Sequence, residues 1–149
     1  MVQQIELGDD FLSEETFAAV GRLTIAFGQL DYILQITVKR LLQKSFGEGM
    51  AQAERLETIN ALKGRSTELF GLRVMDQASE AKFDKLIEKI SGLYKKRQSV
   101  IHGFWGKDNQ GQVVRIWKRK FQSTNLNDLG HLYEAVKQAV RELDTITRL

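Results

Sequence analysis

The chain contains no cysteine and no proline, and only two of its 149 residues are histidine. Without cysteine there is no disulfide, no thiolate metal site and no thiol nucleophile, which suits a reducing compartment, and a cytoplasmic location is expected. Without proline nothing interrupts a long helix by removing a backbone donor. No apolar run approaches the roughly 20 residues of a membrane span. The richest stretch, Leu23 to Leu42, is broken by Asp31, Lys39 and Arg40. The first residues, Met1-Val2-Gln3-Gln4-Ile5-Glu6, carry neither the basic nor the apolar segment of a secretory signal, so none is expected. Gly-rich phosphate loops, Ser/His/Asp arrays and metal-ligand spacings are also missing, so no cofactor and no metal are expected.

What is present suits one helical domain spanning residues 1–149, with 42% apolar and 28% charged residues. The net charge is only +3, but it is unevenly spread. Glu6, Asp9, Asp10, Glu14 and Glu15 make the start acidic. Lys95, Lys96, Arg97, Lys107, Arg115, Lys118, Arg119 and Lys120 make a basic zone farther on. Such a zone attracts phosphate, or is simply a solvated hairpin.

Ser13, followed by two glutamates, has the signature of an N-cap and predicts a helix from there to about Lys44, stopping near Gly47-Glu48-Gly49. A second helix is expected from Met50 to about Phe70. A third, capped by Ser79, carries Phe83, Leu86, Ile87, Ile90, Leu93 and Tyr94 at helical spacing and ends near Gly103. Phe104-Trp105 and Val113–Trp117 then predict two short strands, joined by a turn over Lys107–Gly111. Thr124 or Asn125 caps a last helix with a stripe of Leu126, Leu129, Leu132, Val136, Val140 and Leu143. The fold class is therefore mainly α: about four helices with a small β-hairpin before the last.

The first helix is apolar on two sides. Val20, Phe27, Leu30, Leu34, Val38 and Leu41 share one face; Ala18, Ile25, Tyr32 and Ile36 form a second stripe nearly opposite. A small domain has few elements to cover both faces, so a homodimer built partly on this helix is expected.

Asp31 falls within the main stripe of the first helix, and Arg97 within that of the third. A buried charge without a partner is costly, so the two are expected to pair, either as a helix-registering salt bridge or as part of a site. His102 follows Arg97 by five residues. On an ideal helix that leaves them about 140° apart, with His102 aligned instead with Gln98 and Lys95. Three arrangements remain open: a helix distorted at its end, a cleft reached from two sides, or a symmetric dimer. A helix-end histidine bonded to terminal carbonyls is the structural alternative.

The segment Arg97-Gln98-Ser99-Val100-Ile101-His102 resembles the R-x(4–6)-H motif of the HEPN superfamily. Phe27-Gly28-Gln29-Leu30-Asp31-Tyr32 is similar to the small-x-Leu-acid pattern that those domains often carry, and the succession of helices agrees over roughly Ser13 to Leu149. The resemblance implies an all-α homodimer. It also implies a metal-independent endoribonuclease of the toxin–antitoxin or antiphage-defence kind, acting on RNA and restrained by an antitoxin or defence-complex partner. By position, Arg97 and His102 match the catalytic pair, and Gln98 fills the polar position after the arginine, where other residues are commoner. Asp31 would support Arg97 or His102. Where some members carry a tyrosine modified by a partner nucleotidyltransferase, this chain has Phe104, which has no hydroxyl to modify.

In such a site histidine moves protons and arginine presents its fork to the phosphoryl oxygens. Lys95, Lys118 and Arg119 are candidates for backbone phosphates. Trp105 and Trp117 either stack on bases or face one another across the hairpin. His131, off the main stripe of its helix, is expected at the surface. The competing reading is a non-catalytic HEPN-like module that binds a nucleotide, an RNA or a protein. Whether His102 is accessible and near its symmetry mate discriminates the two.

Overall fold

The computed structural model describes residues 6–7, 12–74, 76–122 and 124–148. Its elements are β1 (Glu6–Leu7), α1 (Glu14–Leu42), α2 (Phe46–Glu54), α3 (Ile59–Arg73), α4 (Gln77–His102), β2 (Phe104–Lys107), β3 (Val113–Trp117), β4 (Lys120–Gln122) and α5 (Leu126–Ile146). The mainly α class is as expected, with five helices among the described residues.

Ser13 caps α1, its Oγ accepting from the Thr16 amide at 3.0 Å. The helix ends at Leu42, ahead of the glycines, because Gln43 turns left-handed (φ 55°) and returns its N–H to the Arg40 carbonyl. Ser45 then caps a separate helix that takes Gly47 and Gly49 inside it. At Gly49 the two helices nearly touch: a Cβ there would lie 3.1 Å from the Lys39 Cα. The single second helix expected over 50–70 is therefore two, α2 and α3, separated by a break after which Thr58 caps α3. The start of α4 also differs. Asp76 is the cap, accepting from the Ala78 and Ser79 amides, and the Ser79 hydroxyl donates to it at 2.7 Å. A carboxylate one residue outside the helix reaches two orphan amides, which a hydroxyl inside the first turn does not.

The expected hairpin is the centre of a four-stranded antiparallel sheet, ordered β1-β2-β3-β4. Asp108 builds the β2–β3 turn by accepting from the Gln110 and Gln112 amides, both at 2.9 Å. Lys118 (φ 50°) and Arg119 (φ 65°) form the two-residue turn into β4. Two consecutive left-handed residues match the right-handed twist of the flanking strands.

Helix α1 runs through the middle of the core. Phe27, Leu30, Leu34, Val38 and Leu41 are buried with Phe83 and Ile90 of α4 and Val136 and Leu143 of α5. Phe70 of α3 stacks on Phe83 with ring centroids 4.2 Å apart. Arg40 ties α1 to the end of α5, reaching the Asp144 carboxylate at 2.9 Å and the Thr147 hydroxyl at 3.2 Å. The second stripe of α1 is left open: Ile25 is 67% and Tyr32 53% exposed.

Candidate functional site

The last two turns of α4 present three faces with different surroundings. Tyr94 and Arg97 point to α1. The Tyr94 hydroxyl donates to the Asp31 carboxylate, its ring lies 5.6 Å from that of Phe27, and the Arg97 guanidinium carbon sits 5.9 Å from the centroid of Phe27. The expected Asp31–Arg97 ion pair does not form among the described residues. Tyr94, one turn earlier on the same face, takes the carboxylate, and Arg97 settles on the aromatic ring. Asp31 and Arg97 are half-buried rather than enclosed. Burial, and then the hydroxyl's bond to Asp31, pushes the Tyr94 phenol well above its ordinary range, opposed by the charge of Arg97. Tyr94 therefore stays protonated and acts as the donor.

His102 is the last residue of α4 and is exposed, with no side-chain partner among the described residues. The helix stays regular to that point, so Arg97 and His102 remain on different sides of it, and one protomer does not bring them together. Gln98 and Lys95, both exposed, lie on the His102 side. Gly103 follows the helix in extended backbone, and a side chain does not fit there: a Cβ would strike the Ser99 carbonyl oxygen and lie 3.1 Å from the Arg115 Cγ.

The sheet register adds to the His102 side. Phe104 pairs with Ile116, and Ile116 with Phe121. The Lys118–Arg119 turn thus stands at the end of the sheet where β2 leaves α4. Phe104 (42% exposed) and Phe121 (57%) share the outer face of that end. These two phenylalanines, rather than the tryptophans, are the accessible aromatics. Trp105 faces Arg115 instead of Trp117, and its Nε1 donates to the Val100 carbonyl at 3.1 Å. Trp117 is half-buried beside Lys118.

The third face of α4, with Lys96 and Ser99, borders an open cavity that β3, β4 and α5 also line. Arg115, in its wall, belongs to the basic zone of the sequence. Arg115 is 5% exposed, and its Nε and Nη1 have no hydrogen-bond partner among the described residues. The available signal was its position, a charge in the middle of the apolar strand Val113-Val114-Arg115-Ile116-Trp117. His131 is exposed, as expected, at the rim of this cavity.

No group of three or more acidic or histidine residues suited to a metal occurs among the described residues. No helix among them is long and apolar enough to cross a membrane. Comparison of the chain with protein-family models, with curated proteins and with solved structures finds no match.

Proposed function

We propose that the chain is a HEPN-like, metal-independent endoribonuclease, a toxin or antiphage-defence effector whose active site is completed by a second copy of itself. The observation that carries this reading is the state of His102: exposed, unpartnered among the described residues and flanked by Gln98 and Lys95. A structural histidine at a helix end would instead be enclosed and bonded to carbonyls.

Since Arg97 and His102 diverge around α4, the reading requires a dimer. The open stripe of Ile25 and Tyr32 on α1 is the surface offered for it. In the composite site one His102 removes the proton of the RNA 2′-hydroxyl, whose oxygen attacks the adjacent phosphorus. Arg97 stabilises the phosphorane charge. The partner's His102 protonates the departing 5′-oxygen, leaving a 2′,3′-cyclic phosphate and a 5′-hydroxyl. The Lys118–Arg119 turn would hold backbone phosphates, and Phe104 and Phe121 would stack on unpaired bases.

One observation favours the alternative of a non-catalytic binding module. Arg97 lies on Phe27 rather than projecting freely, as a purely structural arginine would. Cleavage of a mixed RNA in EDTA separates the two readings. The ribonuclease cuts it to cyclic-phosphate ends, and His102→Ala and Arg97→Ala both abolish cutting while remaining folded. Absence of cutting by the folded, partner-free wild type refutes the enzyme.

A further inference from the structure

One cavity holds a charge that nothing described neutralises. It lies between α4, the β3–β4 strands and α5, with a volume of about 530 Å³. Arg115 forms part of its wall from the centre of β3. Its guanidinium stands over the Trp105 ring at 5.2 Å, and among the described residues it enters no ion pair and its Nε and Nη1 are buried without a hydrogen-bond partner. Burial holds its pKa below the ordinary arginine value. An ionised guanidinium in such a place is costly without an anion, and a guanidinium pairs strongly with an oxyanion.

We propose that this cavity binds a small organic phosphate of mononucleotide size, with the phosphate on Arg115 and Lys96. Lys96 is exposed on the same wall. His131 stands at the rim, and Asp128, which has an interaction of its own, is the one acid among the described lining residues. The two cations, Arg115 and Lys96, outnumber that acid, and flanking one space they suit a dianion better than a single carboxylate. The floor is apolar, made by Leu93, Leu129 and Leu132, and takes a flat ring. The volume falls within the range of small-molecule sites. An RNA strand would need a groove open along its length, whereas Arg115 lies deep in the wall. Neither Arg97 nor His102 lines this space, so the proposal stands apart from the ribonuclease reading.

The test is calorimetric titration with thermal melting at fixed ionic strength. The probes are adenosine 5′-monophosphate, adenosine, inorganic phosphate and benzoate. The monophosphate should bind and raise the melting temperature as its concentration rises. Inorganic phosphate should bind more weakly and adenosine not at all. Lys96→Ala, a surface change that leaves folding intact, should weaken binding roughly tenfold. Arg115→Met should abolish it, and Lys85→Ala, remote on α4, should leave it unchanged. No binding by the wild type at millimolar concentration overturns the proposal. Equal binding by wild type and Lys96→Ala does so too, since it would mark loose attraction to a basic surface. Benzoate binding as tightly as the monophosphate refutes the phosphate assignment, and binding of an RNA oligomer without the mononucleotide refutes the small-ligand assignment. If Arg115→Met fails to fold, Lys96→Ala decides.

Discussion

Replacing Tyr94 by phenylalanine removes one oxygen atom from the contact that joins α4 to α1. The ring stays against Phe27, so packing is nearly conserved, but the half-buried Asp31 carboxylate loses its hydroxyl donor. A hydrogen bond to a charged group contributes about 1.5–3 kcal/mol. For a chain of this size each kcal/mol moves the melting temperature by about 2–4 °C. Tyr94→Phe should therefore cost about 2 kcal/mol and lower the midpoint by roughly 4–8 °C. Asp31→Ala removes the same bond from the other side. In urea melts of the two single variants and the double variant, the coupling energy should exceed about 1 kcal/mol; additivity within about 0.5 kcal/mol would show that the pair does not hold the helices together. The pH dependence gives a second reading. The folded Tyr94 has a raised pKa, so its contribution is fully present below the unfolded tyrosine value near pH 10 and is lost as pH climbs toward the folded value. Wild type should lose stability above about pH 10 more steeply than Tyr94→Phe. Parallel slopes would refute the assignment.

Phe83→Ala should cost about 3–5 kcal/mol by opening a cavity beside its stacked partner Phe70, which is fully enclosed; a urea melt measures it. Gly103→Ala should destabilise by about 1–3 kcal/mol, because its methyl meets the Ser99 carbonyl and the Arg115 stem, whereas Gly64→Ala, with open space around it, should not destabilise the helix. Asp76 carries a carboxyl held below its ordinary range by the Ser79 hydroxyl and then the Ala78 amide. Its stabilisation is present above about pH 4 and lost as pH falls through the depressed value, so Asp76→Asn should flatten the acid limb of the stability curve while keeping the cap. Ile25→Asp and Tyr32→Asp should shift wild-type dimers to monomers in sedimentation with the helical signal unchanged; a wild type that is monomeric at high concentration would remove the composite site.

Much of the helical frame was legible because periodicity and capping agreed. Ser13 with Glu14 and Glu15 announced α1, the spacing of Phe83, Leu86 and Ile90 announced α4, and Asn125 capped α5 as one of two candidates. The boundary between α2 and α3 was hidden because the amphipathic signal of α3 is weak and no proline or turn glycine marks Arg55–Thr58. Strand β4 escaped for a related reason. Its turn is made by Lys118 and Arg119, which hold left-handed dihedrals without the Asn-Gly or Gly-Gly pair that usually signals such a hairpin.

The charges show where pattern and burial part company. Asp31 and Arg97 occupy core positions by helical spacing, yet both end half-buried: a helix surface is curved, and a long side chain at the edge of a stripe slides outward along its neighbours, as Arg97 does over Phe27. Arg115 has no such freedom. It stands in mid-strand with Trp105 opposite on β2, Gln122 opposite on β4, and α4 behind. Its side chain leaves the sheet toward the helices and stays there. The same rule, that a charge at an apolar position demands a partner, therefore bears with more force on the strand than on either helix. On the helices the demand is met within the chain, for Asp31 by Tyr94 and for Arg97 by Phe27, and at Arg115 it is met by nothing described. An arginine in that position, where methionine would fill a similar volume at no electrostatic cost, is what the proposed anion in the cavity would account for.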